Sequence, residues 1–130
     1  MARSSGIKLV LTGFLLALAC VSTDVRARGP APADTPMTMS VAELPSQGAQ
    51  TYRQIFQGGP FAYEKDGTVF GNRERLLPAH KRGYYREYTV PTPGARNRGT
   101  RRIVCGGPTT TPEVCYYTAD HYASFRKIVP

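Results

Sequence analysis

Hydrophobic and polar positions change their spacing along this chain, and each change marks a different kind of segment. Residues 9–19 read LVLTGFLLALA, an apolar run with no amphipathic period, preceded by Arg3 and Lys8. The run ends in Ala17-Leu18-Ala19, a small-x-small pattern. A basic start, an apolar core and such an end form a secretory signal, and the core is too short to span a bilayer. Residues 1–19 are therefore predicted to be a signal peptide of a secreted protein. Cys20 follows directly. In bacteria a Cys at this junction can carry a lipid anchor, but Ala17 stands where Leu is preferred, so simple secretion is favoured. Residues 20–40 show no period and contain Pro30, Pro32 and Pro36, which predicts a flexible Pro/Ala-rich tail.

From residue 41 the pattern predicts one folded domain, 41–130. Ala49, Tyr52, Ile55 and Phe56 recur at helical spacing, Pro45 and Ser46 suit a start, and Gly58 suits a stop. Residues 59–82 are rich in Gly, Pro and charge and read as loops, with a short strand at 68–70. Residues 84–90, 101–105, 113–118 and 124–129 are β-branched or aromatic runs separated by Gly- and Pro-rich turns. The prediction is an α+β domain with a short N-terminal helix packed on a twisted antiparallel β-sheet. Cys105 and Cys115 flank one turn and are predicted to form a disulfide, which an exporting compartment permits.

Composition sharpens this picture. The chain has 130 residues, with 17 Lys+Arg against 9 Asp+Glu, a net charge of +8. Such a balance attracts polyanions. The charge is concentrated. Arg73, Arg75, Lys81, Arg82, Arg86, Arg96, Arg98, Arg101 and Arg102 are opposed within that stretch only by Glu74 and Glu87. Arg presents a planar fork that binds phosphate bidentately. Interleaved tyrosines, on whose faces bases stack, tilt the reading from a solvated basic surface towards nucleic acid. Three Cys and two His lack zinc-ligand spacing, so neither metal nor cofactor is expected.

Glu87 lies in the middle of the strand YYREYTV, and His121 lies in TADHY. Singly, such residues are more often structural or incidental. Together with several Arg they are the parts needed for RNA cleavage. A base takes the ribose 2′-OH proton, an acid protonates the leaving 5′-oxygen, and Arg offsets the charge on phosphorus. DNA, which lacks the 2′-OH, is predicted not to be cut. Arg86 and Arg101 alternate with Glu87 and Arg102 and should face the other way. His80 is read as a surface loop residue.

Three motifs carry a resemblance: GGPFAYEKDGTVFGNRERLLP (58–78), GYYREYTVPTPGARNRGTRRIV (83–104) and YYTADHYASF (116–125). In this order they resemble the microbial guanyl-specific ribonucleases, the superfamily that includes barnase. The resemblance implies Glu87 as general base and His121 as general acid. It implies Arg98 and Arg102 on the scissile phosphate, with Arg73 nearby and Tyr122 lining the site. It further implies guanine recognition by Phe70, Gly71, Asn72, Arg73 and Glu74. Phe70 would stack on the base, main-chain N–H groups would meet O6, and Glu74 would accept from N1–H and N2. Gly71 stands where relatives often carry a polar side chain such as Gln.

The expected activity is a secreted endoribonuclease that cuts single-stranded RNA 3′ of guanosine, first to a 2′,3′-cyclic phosphate and then to a 3′-phosphate. It is expected to act as a monomer, and an acidic intracellular inhibitor protein would be its natural partner if it served as a toxin. The alternative is a non-catalytic, cationic RNA-binding or antimicrobial protein on the same fold. That alternative would be favoured by loss of Glu87 or His121, and both are present.

Overall fold

The sequence YREYT alternates residues suited to opposite surroundings, and its strand lies well inside the sheet. The computed structural model describes residues 37–130; the signal peptide, Cys20 and the tail as far as residue 36 lie outside the described residues. Within them, β1 (Met37–Ser40) leads through a single turn of 3₁₀ helix into α1 (Ser46–Gln57). Five strands follow: β2 (Thr68–Val69), β3 (Tyr85–Thr89), β4 (Arg102–Gly106), β5 (Val114–Thr118) and β6 (Arg126–Val129). They form one six-stranded sheet in the order β1-β6-β5-β4-β3-β2. Every pairing is antiparallel except β1 with β6, which is parallel.

Two expectations are corrected here. Met37–Ser40 was expected to end the tail, yet it is a strand that pairs Met37 with Arg126 through Ser40 with Val129. Its driving force is Met39, which is buried with Ile128 in the core under the helix. The sheet is therefore mixed rather than wholly antiparallel. Second, Phe56 does not join the buried helix face: it is 42% exposed, with Tyr52 half-buried beside it. The inward stripe is Gly48, Thr51 and Ile55 instead. Small residues at two of its three positions let the helix approach the sheet closely, and the Thr51 hydroxyl donates to the Thr89 carbonyl at 3.2 Å.

The helix ends where expected. Gly58 has φ +80°, a left-handed conformation that Gly adopts without a Cβ penalty. Its N–H donates to the Ile55 carbonyl and that of Gly59 to Gln54, a Schellman stop that satisfies two orphan carbonyls.

Alternation gives the sheet two different faces. Tyr88, Val90, Ile103, Cys105, Cys115, Tyr117 and Ile128 point towards α1 and form one core. Tyr85, Val104 and Tyr116 point the other way, where Leu77 and Phe125 from loops cover them. Arg86 stays on the helix side, as expected, where its guanidinium donates to the Gly67 carbonyl at 2.7 Å.

Cys105 and Cys115 are direct cross-strand partners and are disulfide-bonded. The bridge closes a loop of sequence separation 10. Chain-entropy arguments assign such a loop about 2–3 kcal/mol. Replacing both cysteines by Ala should lower unfolding free energy by about that amount, read from urea titrations with and without the bridge.

Candidate active site

β3 presents Glu87 on the sheet face opposite the helix, between Thr68 of β2 and Val104 of β4. A carboxylate in this position needs partners, and two elements supply them. Arg98, from the loop between β3 and β4, places Nη2 3.4 Å from Glu87 Oε1 and donates from Nε to Thr89 Oγ1 at 2.9 Å. Tyr122, from the loop between β5 and β6, donates a short hydrogen bond from its hydroxyl to Glu87 Oε2. Burial, the bond to Glu87 and the nearby carboxylate charge push the Tyr122 hydroxyl up to about 12, so it remains a donor at neutral pH. Each oxygen of the carboxylate is held from one side and keeps a lone pair free.

Arg102 is only 3% exposed, an unusual burial for a guanidinium. Its Nη1 donates to the carbonyls of Arg98 and Arg101, and its charge lies 6.0 Å from the centre of the Tyr122 ring. Its buried Nε has no hydrogen-bond partner among the described residues. A buried cation with an unspent donor is suited to an anion.

A cleft of about 780 Å³ opens on this face. Its lining brings together Glu87, His121, Tyr122, Arg73 and the segment from Phe70 to Glu74. Thus two distant motifs and one strand meet in one cleft. Arg98 and Arg102 reach the cleft through Glu87 and Tyr122 rather than by lining it. Phe70 stacks on Tyr122, with centroids 5.1 Å apart and planes 28° apart. Asn72 has φ +49°, and its side chain both donates to the Leu77 carbonyl and accepts from the Leu77 N–H. That pair of bonds pins the loop in a fixed bend. Arg73, Glu74 and Gly71 are exposed at its tip.

The sequence reading missed the groups that hold His121 in place. His121 and Tyr122 are consecutive non-Gly residues with φ +54° and +70°. Each such conformation costs of the order of 1–3 kcal/mol and persists only where surroundings enforce it. Here Asp120 accepts from the Thr118 hydroxyl, the Ser124 N–H and the Ser124 hydroxyl at 2.9, 2.9 and 2.6 Å. Thr118 Oγ1 accepts in turn from the Tyr122 N–H at 3.2 Å, and the His121 N–H donates to the Thr100 carbonyl at 3.0 Å. The available signal was the clustering of Thr118, Asp120 and Ser124 around His121, since short polar side chains bond their own turns. These bonds, the Ser124 hydroxyl first, hold the Asp120 carboxyl below its ordinary 3.8.

Known proteins resemble this chain in sequence and fold. A family described as ribonuclease matches residues 27–129. Guanyl-specific ribonuclease Sa3 of Kitasatospora aureofaciens is 59% identical over 85 residues, covering 65% of this chain and 58% of that protein. Guanyl-specific ribonuclease Sa of the same organism is 50% identical over 95 residues, covering 73% of this chain and 96% of that protein. Among solved structures, ribonuclease Sa2 with guanosine-2′-cyclophosphate superposes with a TM-score of 0.67 at 45% identity, covering 74% of this chain and 98% of that one.

Asp120 is more acidic in the fold than in the unfolded chain, so its bonds stabilise the His121 loop fully above the ordinary Asp value and are lost as pH falls through the lowered one. Amide exchange followed by NMR should show the Tyr122 and Ser124 N–H groups protected at pH 5. In Asp120→Ala that protection should already be lost at pH 5.

Proposed function

This chain belongs to the guanyl-specific ribonuclease family of microbes, and we propose that its cleft cuts single-stranded RNA after guanosine with Glu87 as base and His121 as acid. The observation that carries the reading is the convergence of Glu87, His121 and the 70–74 loop on one cleft. Glu87 accepts the proton of the guanosine 2′-OH. The freed oxygen bonds to the adjacent phosphorus as the P–O5′ bond breaks, and His121 protonates the departing 5′-oxygen. The product is a 2′,3′-cyclic phosphate. In the second step the roles reverse: His121 takes a proton from water, the water oxygen bonds to phosphorus as the P–O2′ bond breaks, and Glu87 returns a proton to O2′. A 3′-phosphate remains.

Arg73 lines the cleft, and Arg98 and Arg102 stand behind Glu87 and Tyr122; their charge offsets what builds on the phosphorane oxygens. Tyr122 is more than a wall. Its hydroxyl fixes the orientation of the Glu87 carboxylate, so the base meets the 2′-OH without a search.

Guanine selection rests on the bent loop. The Asn72 side chain is committed to Leu77, so contacts to the base fall to the main chain and to Glu74. Glu74 accepts from N1–H and the N2 amino group, which adenine does not present in that pattern. Gly71 contributes no side chain, in keeping with main-chain recognition. Phe70 supplies the stacking face. We further propose that the protein is secreted, on the strength of residues 1–19, and acts as a monomer.

Two measurements test these roles. In a GpU assay containing EDTA, Glu87→Gln and His121→Gln should each lower kcat about 10²–10⁴-fold with little change in KM. Cleavage near the wild-type rate by either variant would overturn the assignment. Glu74→Ala should raise KM for GpU and shrink the preference for GpU over ApU by about 5–150-fold, since a lost bidentate base contact is worth about 1–3 kcal/mol.

A further inference from the structure

A second aromatic surface lies beyond the guanine loop. His80 stacks on Tyr84 with ring centroids 3.7 Å apart and planes 15° apart. Its edge meets the face of Tyr85 at 5.7 Å. Tyr84 is a fixed floor: its hydroxyl donates to Glu113 at 2.8 Å, and its ring lies so close over Gly106 that a Cβ there would come within 2.2 Å of it. Burial and the Glu113 carboxylate push the Tyr84 hydroxyl up to about 12, so this donor persists at neutral pH. The turn that carries the platform is closed by the Tyr84 N–H on the Lys81 carbonyl at 3.1 Å. His80 itself is exposed.

The platform is linked to the cleft through the buried ring of Tyr85. Phe70 contacts Tyr85 at 6.4 Å, and Tyr85 contacts His80, so two ring-to-ring steps connect them. Charge suits an RNA strand there. Arg75, Lys81 and Arg82 are exposed around the platform, and no carboxylate lies in the segment from 75 to 86. Glu113 is the acidic group facing it, and it is engaged by Tyr84.

Direction along β3 decides which nucleotide this surface meets. The scissile phosphate belongs at Glu87 and beyond, towards Thr89, Arg98 and Arg102. Tyr84 and His80 lie off the opposite end of the strand. With the 3′-phosphate held at the Glu87 end, the 5′ side of the guanosine is free to run towards this one. We propose that His80, supported on Tyr84 and flanked by Lys81 and Arg82, is a stacking subsite for the base immediately 5′ of the guanosine. The proposal rests on the guanosine-cleaving reading above. It needs no sequence preference, because every base has a stacking face.

The test compares GpU, ApGpU and GpUpA at matched low salt, alongside NMR titration of the His80 ring protons with 3′-GMP and with ApG. Wild-type protein should cleave ApGpU with a kcat/KM at least about fivefold above GpU, the range expected for one stacked base. His80→Ala should bring ApGpU down to the GpU level while leaving GpU itself unchanged, and His80→Phe should retain the advantage. ApG should shift the His80 resonances and 3′-GMP should not. Equal losses on GpU and ApGpU, a benefit confined to GpUpA, or no shift with ApG would each overturn the subsite. Failure of wild-type protein to cut GpU would instead count against the guanosine-cleaving reading, and the ApG titration would still decide the platform.

Discussion

A single carboxylate in the middle of a sheet face has to be compensated, and three segments of this protein are organised around that requirement. Glu87 takes Arg98 on one oxygen and Tyr122 on the other. Through Arg98 it engages the loop after β3; through Tyr122 it engages the loop after β5. Thr89 joins these to the helix: its hydroxyl accepts from Arg98, its N–H donates to Asp66 at 2.7 Å, and its carbonyl accepts from Thr51. The last residue of β3 therefore ties the site to the opposite layer of the molecule.

The two-faced sheet separates stability from chemistry. On the helix side most contacts are apolar and are reinforced by the disulfide. On the other side aromatic rings form a second cluster whose outer members, Phe70 and Tyr122, are only half-buried. The same rings that complete that cluster offer stacking faces. Strain is confined to this side as well, at Asn72, Arg75, His121 and Tyr122, where side-chain hydrogen bonds or turn closure hold left-handed backbone.

Much of this was legible from residues alone. Period-two alternation in 84–90 and 101–105 placed Glu87 and Arg102 on the face opposite Arg86, and the facing cysteines announced their bridge. The strand at Met37–Ser40 was not legible, because a short parallel edge strand has no hairpin turn to mark it and its one buried residue, Met39, sits among prolines and threonines. Likewise β6 begins at Arg126 rather than 124, because Ser124 is drawn into the bonds of Asp120. Phe56 looked like core by spacing and lies outside it, because Thr51, not an apolar residue, makes the close contact with the sheet. In each case a specific hydrogen bond or long-range pairing overrode local pattern, and such pairings carry no signature in a single sequence.

The parallel pairing of β1 with β6 has a temporal side. Among the described residues β1 is the first strand made, and the one strand it pairs with, β6, is the last. Contacts of such long sequence separation form late, since the whole loop between them must close first. On a growing chain, β1 has nothing to pair with until residues 126–129 have emerged. The catalytic strand and both loops are synthesised earlier, yet the sheet that aligns them gains its far edge only then. Emergence of residues 126–129 thus acts as the clock that permits this sheet to lock.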